Sequence, residues 1–246
     1  MGSNTDRAVA IQLRYYAETA AEYDAMHAFE GDNDPRILRL TASLLRMVDA
    51  KTVLDVGAGT GRGVRHFIDK LPGTTVRGLE PVAERIQQAV QRKGVPENVI
   101  VQGVGQSLPF DDRSFDAVYA FGMIHHLPNP NEVVREMIRV ARKMVIIADG
   151  NRFGQGPWPL RLFKLALYKA GLWNVARYAR TGGKGYIYSE GDGVHFSYSV
   201  FDSLAPLEEW ADHLMLIPTG PCKSRSFFQP LLTASTILVC AVKESE

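Results

Sequence analysis

A short segment, Val53-Leu54-Asp55-Val56-Gly57-Ala58-Gly59-Thr60-Gly61, constrains the fold of this chain more than any other part of it. Apolar residues around one aspartate predict a short buried strand, and the three glycines predict a tight turn behind it. The following residues, Arg62 to Leu71, carry apolar side chains at helical spacing. Because glycine has no Cβ, such a strand-to-helix turn lets a ligand approach the backbone. The segment therefore predicts a ligand site between a strand and a helix.

The spacing of the glycines narrows the class of ligand. A dinucleotide-binding fingerprint needs a glycine at the sixth position, where this chain has Arg62. A phosphate-binding loop ends in Gly-Lys-Ser or Gly-Lys-Thr, and this turn has no such ending. Asp55, just before the turn, would repel a pyrophosphate and suits a ligand that carries an amino group.

A second acidic residue ends the next predicted strand, Val76 to Glu80. In an open α/β fold, Glu80 would lie across the ligand crevice and could accept hydrogen bonds from both hydroxyls of a ribose. It would repel a 2′-phosphate, so it favours a plain ribose. Pro81 then predicts the start of a helix that continues to about Lys93, since proline is well tolerated in the first turn.

Strands and helices alternate along most of the chain. Two or three helices are predicted over residues 8–49, the last starting near Asp34-Pro35. A helix is also predicted from Glu132 to Arg142. This alternation favours a mostly parallel sheet with helices on both faces, with ligands at the carboxyl ends of its strands. The predicted strands lie near 52–56, 76–80, 99–102, 115–121, 144–149, 213–218 and 236–243.

Two further motifs join the glycine turn and Glu80. They are Leu108-Pro109-Phe110-Asp111-Asp112-Arg113-Ser114-Phe115-Asp116-Ala117-Val118-Tyr119 and Ile124-His125-His126-Leu127-Pro128-Asn129-Pro130. In this order, over roughly residues 10–150, the motifs resemble those of the class I S-adenosylmethionine-dependent methyltransferases. The resemblance implies an α/β, Rossmann-like fold with a mostly parallel seven-stranded sheet and an antiparallel last strand. It also implies S-adenosyl-L-methionine as cofactor and S-adenosyl-L-homocysteine as product.

The resemblance also implies which residues hold that cofactor. Asp55 and the glycine turn would bind the amino-acid end, Glu80 would bind the ribose, and an N-terminal helix with Tyr16 and Tyr23 would cover the methionine end. Both tyrosines are equally compatible with ordinary packing. The chain departs from the family at Val104, where an acidic residue usually binds adenine, so Gln106 or the backbone near Gly105 would take that role. The full predicted set is Tyr16, Tyr23, Asp55, Gly57, Ala58, Gly59, Gly61, Glu80, Pro81, Gly105, Gln106 and Phe121.

A histidine and an aspartate follow two strands that are neighbours in this fold. His125 follows the fourth strand and Asp149 ends the fifth. A carboxylate behind an imidazole fixes the imidazole's tautomer and stabilises the imidazolium. Sugar and small-molecule O-methyltransferases of the superfamily look similar, so His125 is the preferred general base with Asp149 behind it. His126 and His195 are the alternatives, and a structural role for each histidine stays open.

Residues 151–200 interrupt the alternation with an apolar and basic segment, Pro159 to Ala179, followed by Thr181-Gly-Gly-Lys-Gly185 and several aromatic residues. A lid over the substrate mouth is the first interpretation. A helix packed on the surface, a dimer contact or a membrane-surface helix are the alternatives. Glu190, Asp192 and His195 could in principle ligate a divalent ion, but their spacing matches no defined metal loop, and no metal is expected.

Composition limits the remaining function classes. The net charge of +1 does not indicate the basic stripe that nucleic-acid binding needs. The two cysteines, Cys222 and Cys240, fit a reducing cytosol. Met1 to Arg7 is polar, and no apolar run is long enough to span a membrane. We expect a cytoplasmic protein that methylates a small-molecule acceptor and binds neither nucleic acid nor membrane. A homodimer is possible.

These features predict one methyltransferase domain over residues 1–246. Its parts are N-terminal helices (8–49), a cofactor-binding core (50–150), a lid insertion (151–200), and a closing helix and strands (201–246). The favoured reaction is methyl transfer to a hydroxyl of a sugar or natural product, with a histidine base. The alternatives are C-methylation of a quinone-like or lipid-like ring and non-catalytic binding of S-adenosylmethionine.

Overall fold

A seven-stranded sheet forms the centre of the protein, whose computed structural model describes residues 4–26, 35–220 and 228–244. In space its strands follow the order β3-β2-β1-β4-β5-β9-β8, and β9 alone runs antiparallel to its neighbours. The predicted mostly parallel sheet with an antiparallel last strand is confirmed. In chain order the strands are β1 (Thr52–Val56), β2 (Thr75–Glu80), β3 (Ile100–Gln102), β4 (Phe115–Phe121), β5 (Ala141–Gly150), β6 (Tyr186–Ser189), β7 (Gly193–Phe196), β8 (His213–Pro218) and β9 (Thr236–Val242).

Helices surround the sheet. Three of them precede it, as predicted; the third begins at Pro35, while Asp34 lies outside the described residues. The helices are α1 (Asn4–Thr19), α2 (Tyr23–Met26), α3 (Pro35–Met47), α4 (Arg62–Lys70), α5 (Ala83–Lys93), α6 (Pro130–Val140), α7 (Trp158–Lys169), α8 (Trp173–Arg180) and α9 (Leu204–Trp210). None of the helices over the described residues is long and apolar enough to cross a membrane.

The sheet buries side chains on both of its faces, as a strand covered by helices on both sides must. In β4, Ala117 and Tyr119 pack with Phe67 of α4, while the alternate residues Val118 and Ala120 pack in a separate cluster on the other face. Cys240 of β9 is buried in the first of these clusters, as expected from its apolar neighbours. The other cysteine, Cys222, lies outside the described residues.

The strand order reverses between β1 and β4, because the chain first builds outwards through β2 and β3 and then returns to the other side of β1. At such a reversal, the loops beyond the carboxyl ends of the strands separate and leave a crevice for a ligand. Asp55, Glu80 and Asp149 all lie at or near these carboxyl ends, in β1, β2 and β5. The topology therefore brings the main predicted site residues to one edge of the sheet.

The predicted boundaries of two helices are wrong. The helix after β2 begins at Ala83 instead of Pro81, because Val82 is extended and its N–H is held by the Glu80 carboxylate. The helix predicted from Glu132 to Arg142 spans Pro130–Val140. It ends there because Ala141 is extended and pairs with Phe115, which starts β5 earlier than predicted.

The insertion after β5 contains two helices and a hairpin. A short 3₁₀ turn, Arg152–Gly154, leads into α7 and α8, and the chain then forms the β6–β7 hairpin. The hairpin packs against the N-terminal helix: Gln12 Oε1 accepts a hydrogen bond from the Val194 N–H at 2.5 Å, and its amide donates to the Asp192 carbonyl at 3.2 Å. The insertion is thus tied to α1 across the carboxyl edge of the sheet.

Gly154→Ala is expected to destabilise the fold strongly. A Cβ at Gly154 would lie 1.9 Å from the carbonyl oxygen of Ala234, and a backbone atom cannot rotate away. We expect a loss of about 3 kcal/mol in the free energy of unfolding, the upper range for overpacking. Urea denaturation measures it, with Gly191→Ala as control, because a Cβ at Gly191 meets no atom within 4 Å. Equal stability of the two variants would contradict the close packing of this turn.

Candidate active site

The glycine turn after β1 is fixed to the end of β2. The N–H groups of Gly57 and Ala58 both donate to the carbonyl of Leu79, at 2.8 and 2.9 Å. Gly57 has a φ of 79°, and a Cβ there would lie 2.9 Å from Met123 Cγ. Only glycine fits this conformation and this approach without strain. The backbone at Gly57 therefore lies directly against the loop that follows β4.

Glu80 is nearly fully buried and bonds to backbone groups. Its carboxylate accepts a hydrogen bond from the Gly59 N–H at 2.8 Å and one from the Val82 N–H at 3.2 Å. Burial raises the pKa of Glu80, while Arg85 and these N–H groups act in the opposite direction. The predicted ribose acceptor thus holds the glycine turn in place and borders the crevice at the same time.

One pocket gathers most of the predicted cofactor residues. Predicted residues that line it are Tyr16, Tyr23, Gly57, Glu80, Pro81, Gly105, Gln106 and Phe121. Val104, where the family usually has an acid, also lines the pocket and is 49% exposed. His126 lies at the edge that faces the loop after β4. The pocket therefore connects the predicted cofactor site with the predicted catalytic histidines.

An adjoining pocket contains the acidic end of the site. Asp55, Gly57, Ala58, Gly59 and Tyr23 line it. Gly61 lines neither of the two pockets, since a Cβ there would meet Ala89 Cβ at 2.6 Å. The first half of the glycine turn therefore faces the crevice, and its end packs on α5.

Asp55 is buried and has an unusually high pKa. Its Oδ2 accepts a hydrogen bond from the hydroxyl of Tyr119 at 2.7 Å. Burial raises the pKa of Asp55 to about 7; the Tyr119 hydroxyl and Arg62 act against this rise, and Glu80 adds to it. A carboxyl group of this kind is ready to pair with a cation that enters the pocket.

Tyr16, Tyr23 and Arg85 form a stacked cluster above the pocket. The rings of the two tyrosines meet edge to face at 5.9 Å between centroids. The guanidinium of Arg85 lies 4.1 Å from the centroid of each ring. The sequence did not single out Arg85, because a charged residue in the first turn of a helix is usually solvated. Its position five residues after Glu80, on the side of α5 that faces the strand end, is the signal that could have found it.

His125 and Asp149 form the predicted pair. His125 Nδ1 donates to Asp149 Oδ1 at 2.8 Å. The other oxygen of Asp149 accepts from the backbone N–H groups of Ile124 and His125, at 3.0 and 3.2 Å. Burial lowers the pKa of His125, but the carboxylates of Asp149 and Asp192 outweigh burial and raise this pKa well above its ordinary value. Asp149 therefore fixes the ring so that Nε2 faces away from the sheet.

Asp192, at the tip of the β6–β7 hairpin, approaches both histidines. One oxygen lies 3.4 Å from His125 Nε2 and the other lies 3.4 Å from His126 Nε2. His126 Nδ1 faces the carbonyl of Val194 at 2.5 Å and must donate to it, because a carbonyl only accepts. His126 Nε2 is buried and has no hydrogen-bond partner among the described residues. In neutral His126 this nitrogen is an acceptor whose lone pair faces the Asp192 carboxylate.

These three side chains could also hold a divalent ion. Their ligand atoms, from His125, His126 and Asp192, lie within 4.8 Å of one another. The sequence suggested a different set of possible metal ligands, namely Glu190, Asp192 and His195. The structure groups Asp192 with the histidine pair because the hairpin folds back onto the loop after β4. His195 lies in β7 opposite Ile187, and burial, with the charge of His125, lowers its pKa.

Comparisons with known proteins find methyltransferases. The family model for the methyltransferase domain matches residues 54–148. An uncharacterised methyltransferase from Mycobacterium avium is 31% identical over 155 residues, which make up 63% of this chain and 60% of that protein. A phosphatidylethanolamine N-methyltransferase from Cereibacter sphaeroides is 31% identical over 116 residues, or 47% of this chain and 57% of that protein. The chain thus spans about three fifths of the length of these curated relatives.

A solved structure shares the fold over nearly the whole chain. The DhpI–SAH complex superimposes with a TM-score of 0.57 at 18% sequence identity and covers 98% of this chain and 99% of its own. The chain has the Rossmann-like fold of the class I S-adenosylmethionine-dependent methyltransferases. Its residues 54–148 belong to the methyltransferase domain family.

The pockets fit the cofactor of this class. Gly57 offers bare backbone to the crevice, and the carboxylates of Asp55 and Glu80 border it on the sheet side. Much of the remaining pocket wall is apolar or aromatic, with Tyr16 and Phe121 among its residues, and Arg85, Gln106 and His126 add polar groups. Such a mixture of apolar wall and few polar groups is typical of small-ligand sites. Asp55, Glu80 and the glycine turn are therefore the residues that would hold S-adenosylmethionine.

Proposed function

We propose that the protein transfers a methyl group from S-adenosylmethionine to a hydroxyl of a small molecule, such as a sugar or natural product, with His125 as general base. The observation that carries this proposal is the bond from His125 Nδ1 to Asp149 beside the cofactor pocket. An aliphatic hydroxyl is a poor nucleophile until it loses its proton, and a positioned base contributes about 10²–10⁴-fold. A carboxylate acceptor would need no such base.

S-adenosylmethionine, when bound, supplies an electrophilic methyl group on a sulfonium. Asp55 would pair with the amino group at the methionine end, and Glu80 would accept from the ribose. Tyr16, Tyr23 and Arg85 would cover the site from the N-terminal side. Alignment of the two reactants in such an enclosed site can contribute up to about 7–11 kcal/mol.

His125 would take the hydroxyl proton at Nε2. Asp149 accepts four hydrogen bonds in total, including one from the Gly150 N–H at 2.6 Å, so it stays ionised and keeps the Nδ1 proton on His125. The 3.4 Å contact between Nε2 and Asp192 is the one that an acceptor hydroxyl would replace. Because Asp192 is on the hairpin, we propose that residues 151–200 act as a lid whose tip leaves Nε2 when the acceptor enters.

A screen of acceptors tests the proposal. Methyl-labelled S-adenosylmethionine is incubated with sugars, phenols, natural-product alcohols and quinones, and product formation is followed with and without each acceptor. Transfer to a hydroxyl supports the proposal. Cofactor binding without transfer to any acceptor would favour a non-catalytic role instead.

The second candidate is C-methylation of a quinone-like or lipid-like ring. The observation in its favour is the apolar surface of α7 and α8 next to the hairpin, where Leu162 and Phe163 are 50% and 59% exposed. The relative from Cereibacter sphaeroides is named for action on a lipid. Transfer to a ring carbon would make His125 a proton acceptor from carbon, and the labelled product distinguishes the two outcomes directly.

The pH dependence should reveal the state of His125. The pKa of His125 is raised above its ordinary value, so the active imidazole forms at a higher pH than in an ordinary histidine. We expect kcat/KM to rise with pH to above neutrality. In Asp192→Asn a negative charge beside the imidazolium is lost, the pKa of His125 falls, and the rise should move about one pH unit lower or more. A rise at the same pH in both proteins would contradict this role of Asp192.

Cofactor affinity should depend on the ionisation of Asp55. With a pKa of about 7, Asp55 is mostly neutral at lower pH and attracts the amino group only when ionised. We expect S-adenosylhomocysteine to bind about tenfold more weakly at pH 6 than at pH 8, in proportion to the ionised fraction of a group with that pKa. Calorimetry measures this, and Asp55→Asn should bind weakly at both pH values. A pH-independent affinity of the unaltered protein would count against the pairing.

A further inference from the structure

Helix α7 exposes apolar side chains and turns charged side chains towards the protein. Trp158, Leu162 and Phe163 point outwards and are 42%, 50% and 59% exposed. Arg161 and Lys164, on the same helix, are only partly exposed, and α7 has no buried residue at all. Soluble proteins normally turn the apolar side of a surface helix towards the core. Over the part of the chain that the structure describes, the outward face of α7 therefore has no apolar cover.

The inward cations are used to attach the helix to the body of the protein. Arg161 donates to the carbonyls of Gly156 and Leu232, at 2.6 and 2.7 Å. Lys164 donates to the carbonyls of Arg152 and Gln155, at 2.5 and 2.9 Å. These bonds fix the rotation of the helix about its axis. The outward position of the apolar residues is thus determined by specific contacts on the inner side.

The same pattern continues into α8, which packs against α7. Its outward apolar residues are as exposed as those of α7: Val175 is 67% exposed and Tyr178 is 46% exposed. We call the apolar residues of both helices the outer face. It comprises Trp158, Leu160, Leu162, Phe163, Leu172, Val175 and Tyr178. Large apolar side chains exposed together on two packed helices are typical of an interaction surface.

The segment that carries the outer face has charged side chains of one sign only. Residues 151–189 contain Arg152, Arg161, Lys164, Lys169, Arg177, Arg180 and Lys184, and no aspartate or glutamate. The net charge of the chain is +1, so the rest of the chain is net negative. Of the cations, Lys169, Arg180 and Lys184 are exposed. The apolar outer face therefore lies on a segment of positive net charge.

An apolar cavity opens beside the outer face. It lies between α7, α8 and the hairpin, with Phe163, Leu167, Trp173 and Ile187 in its wall. Arg177 and Arg180 also line it. An apolar cavity with cations in its lining fits a molecule that has an apolar chain and an anionic head.

We propose that the outer face binds the surface of a membrane that contains anionic lipids, with α7 and α8 lying in the plane of the interface. Aromatic and leucine side chains with nearby lysines and arginines are the composition of such interfacial helices. A second copy of this chain would fit less well, because a symmetric contact would bring the two positive segments together. An acidic protein partner would satisfy the charges but leaves the apolar cavity unexplained. The proposal departs from the expectation that this chain makes no membrane contact.

Membrane binding would also set the orientation of the site. The hairpin follows α8 after a short glycine-rich link, Thr181 to Gly185, and carries Asp192 at its tip. An acceptor dissolved in the lipid interface would then reach the hairpin from the side of the outer face. The membrane proposal stands independently of the proposed methyl transfer, since it rests on surface residues that are outside the cofactor pocket.

Vesicle co-sedimentation tests the proposal. Vesicles of phosphatidylcholine alone are compared with vesicles that also contain phosphatidylglycerol, each at low and high salt. We expect binding to the anionic vesicles, weakened by salt, and at least tenfold weaker for the double variant Leu162→Ser with Phe163→Ser. Met47→Ser is the matched control, because Met47 is 60% exposed on α3, away from the outer face. Unchanged melting temperature and unchanged S-adenosylhomocysteine binding show that the double variant is folded.

The opposite results would overturn the proposal. These are no binding to either kind of vesicle, equal binding of the double variant and the unaltered protein, or binding that does not depend on anionic lipid. Self-association that disappears in the double variant, in the absence of vesicle binding, would assign the outer face to a second copy instead. If the unaltered protein binds the vesicles as expected but transfers no methyl group to any acceptor, the proposed reaction is contradicted and the proposed membrane contact stands.

Discussion

His125→Ala is expected to lower kcat by about 10²–10⁴-fold while the affinity for S-adenosylhomocysteine stays unchanged. The reason is that His125 lines neither of the two cofactor pockets, but Asp149 holds its ring at Nδ1 and so places Nε2 in the position of a base. Steady-state kinetics on an accepted substrate and calorimetry on the same preparations measure the two quantities. His195→Ala is the comparison, because His195 is an alternative candidate base and lies in β7 of the hairpin.

The distribution of losses between these variants identifies the base. A small effect of His125→Ala together with a large effect of His195→Ala would transfer the role to His195. Activity that disappears with a chelator and returns with a divalent ion would mean that His125, His126 and Asp192 hold a metal in the active protein. An undiminished kcat in His125→Ala would contradict base catalysis by this residue.

Glu80→Gln is expected to weaken S-adenosylhomocysteine binding by about 10–100-fold, the effect of removing hydrogen bonds to a charged group. The glutamine keeps the size of the side chain but loses the charge and one acceptor oxygen. It would leave either the Gly59 or the Val82 N–H without its partner and would remove the negative charge beside Arg85. Calorimetry measures the affinity.

Glu84→Gln is the matched control for this variant, because Glu84 is exposed in the first turn of the same helix. Thermal melting without ligand separates the two roles of Glu80. A lower melting temperature with normal affinity would mean that Glu80 only supports the glycine turn. Equal affinity of Glu80→Gln and Glu84→Gln would exclude Glu80 from the cofactor site.

The sequence predicted the sheet well, and most of the residues that it proposed for the cofactor line one pocket, because both depend on local patterns. The strand that contains Asp55, the glycines behind it and the acidic end of β2 each occupy a few consecutive residues. Their relative positions then follow from the parallel fold. The pairing of His125 with Asp149 could be predicted in the same way, because the two residues lie at or just beyond the carboxyl ends of neighbouring strands.

The parts that sequence reasoning missed depend on long-range packing. Asp192 meets His125 across 67 residues of chain, and this contact requires the hairpin to dock on α1 through Gln12. No spacing in the sequence encodes that docking. Arg85 was missed because its burial results from two tyrosines of the N-terminal helices. The outward orientation of the apolar residues of α7 was not predicted. In sequence, Arg161 and Lys164 indicate a solvated helix face, whereas in the structure both side chains bond to carbonyls on the inner side.

Product analysis with ¹³C-methyl S-adenosylmethionine tests the central claim most directly. The protein is incubated with each accepted substrate, and the labelled carbon is identified by nuclear magnetic resonance. The proposed reaction predicts the signal of a methyl ether in the unaltered protein and its loss in His125→Ala. A methyl group on a ring carbon, or no labelled product from a protein that binds S-adenosylhomocysteine, would contradict the proposed transfer to a hydroxyl.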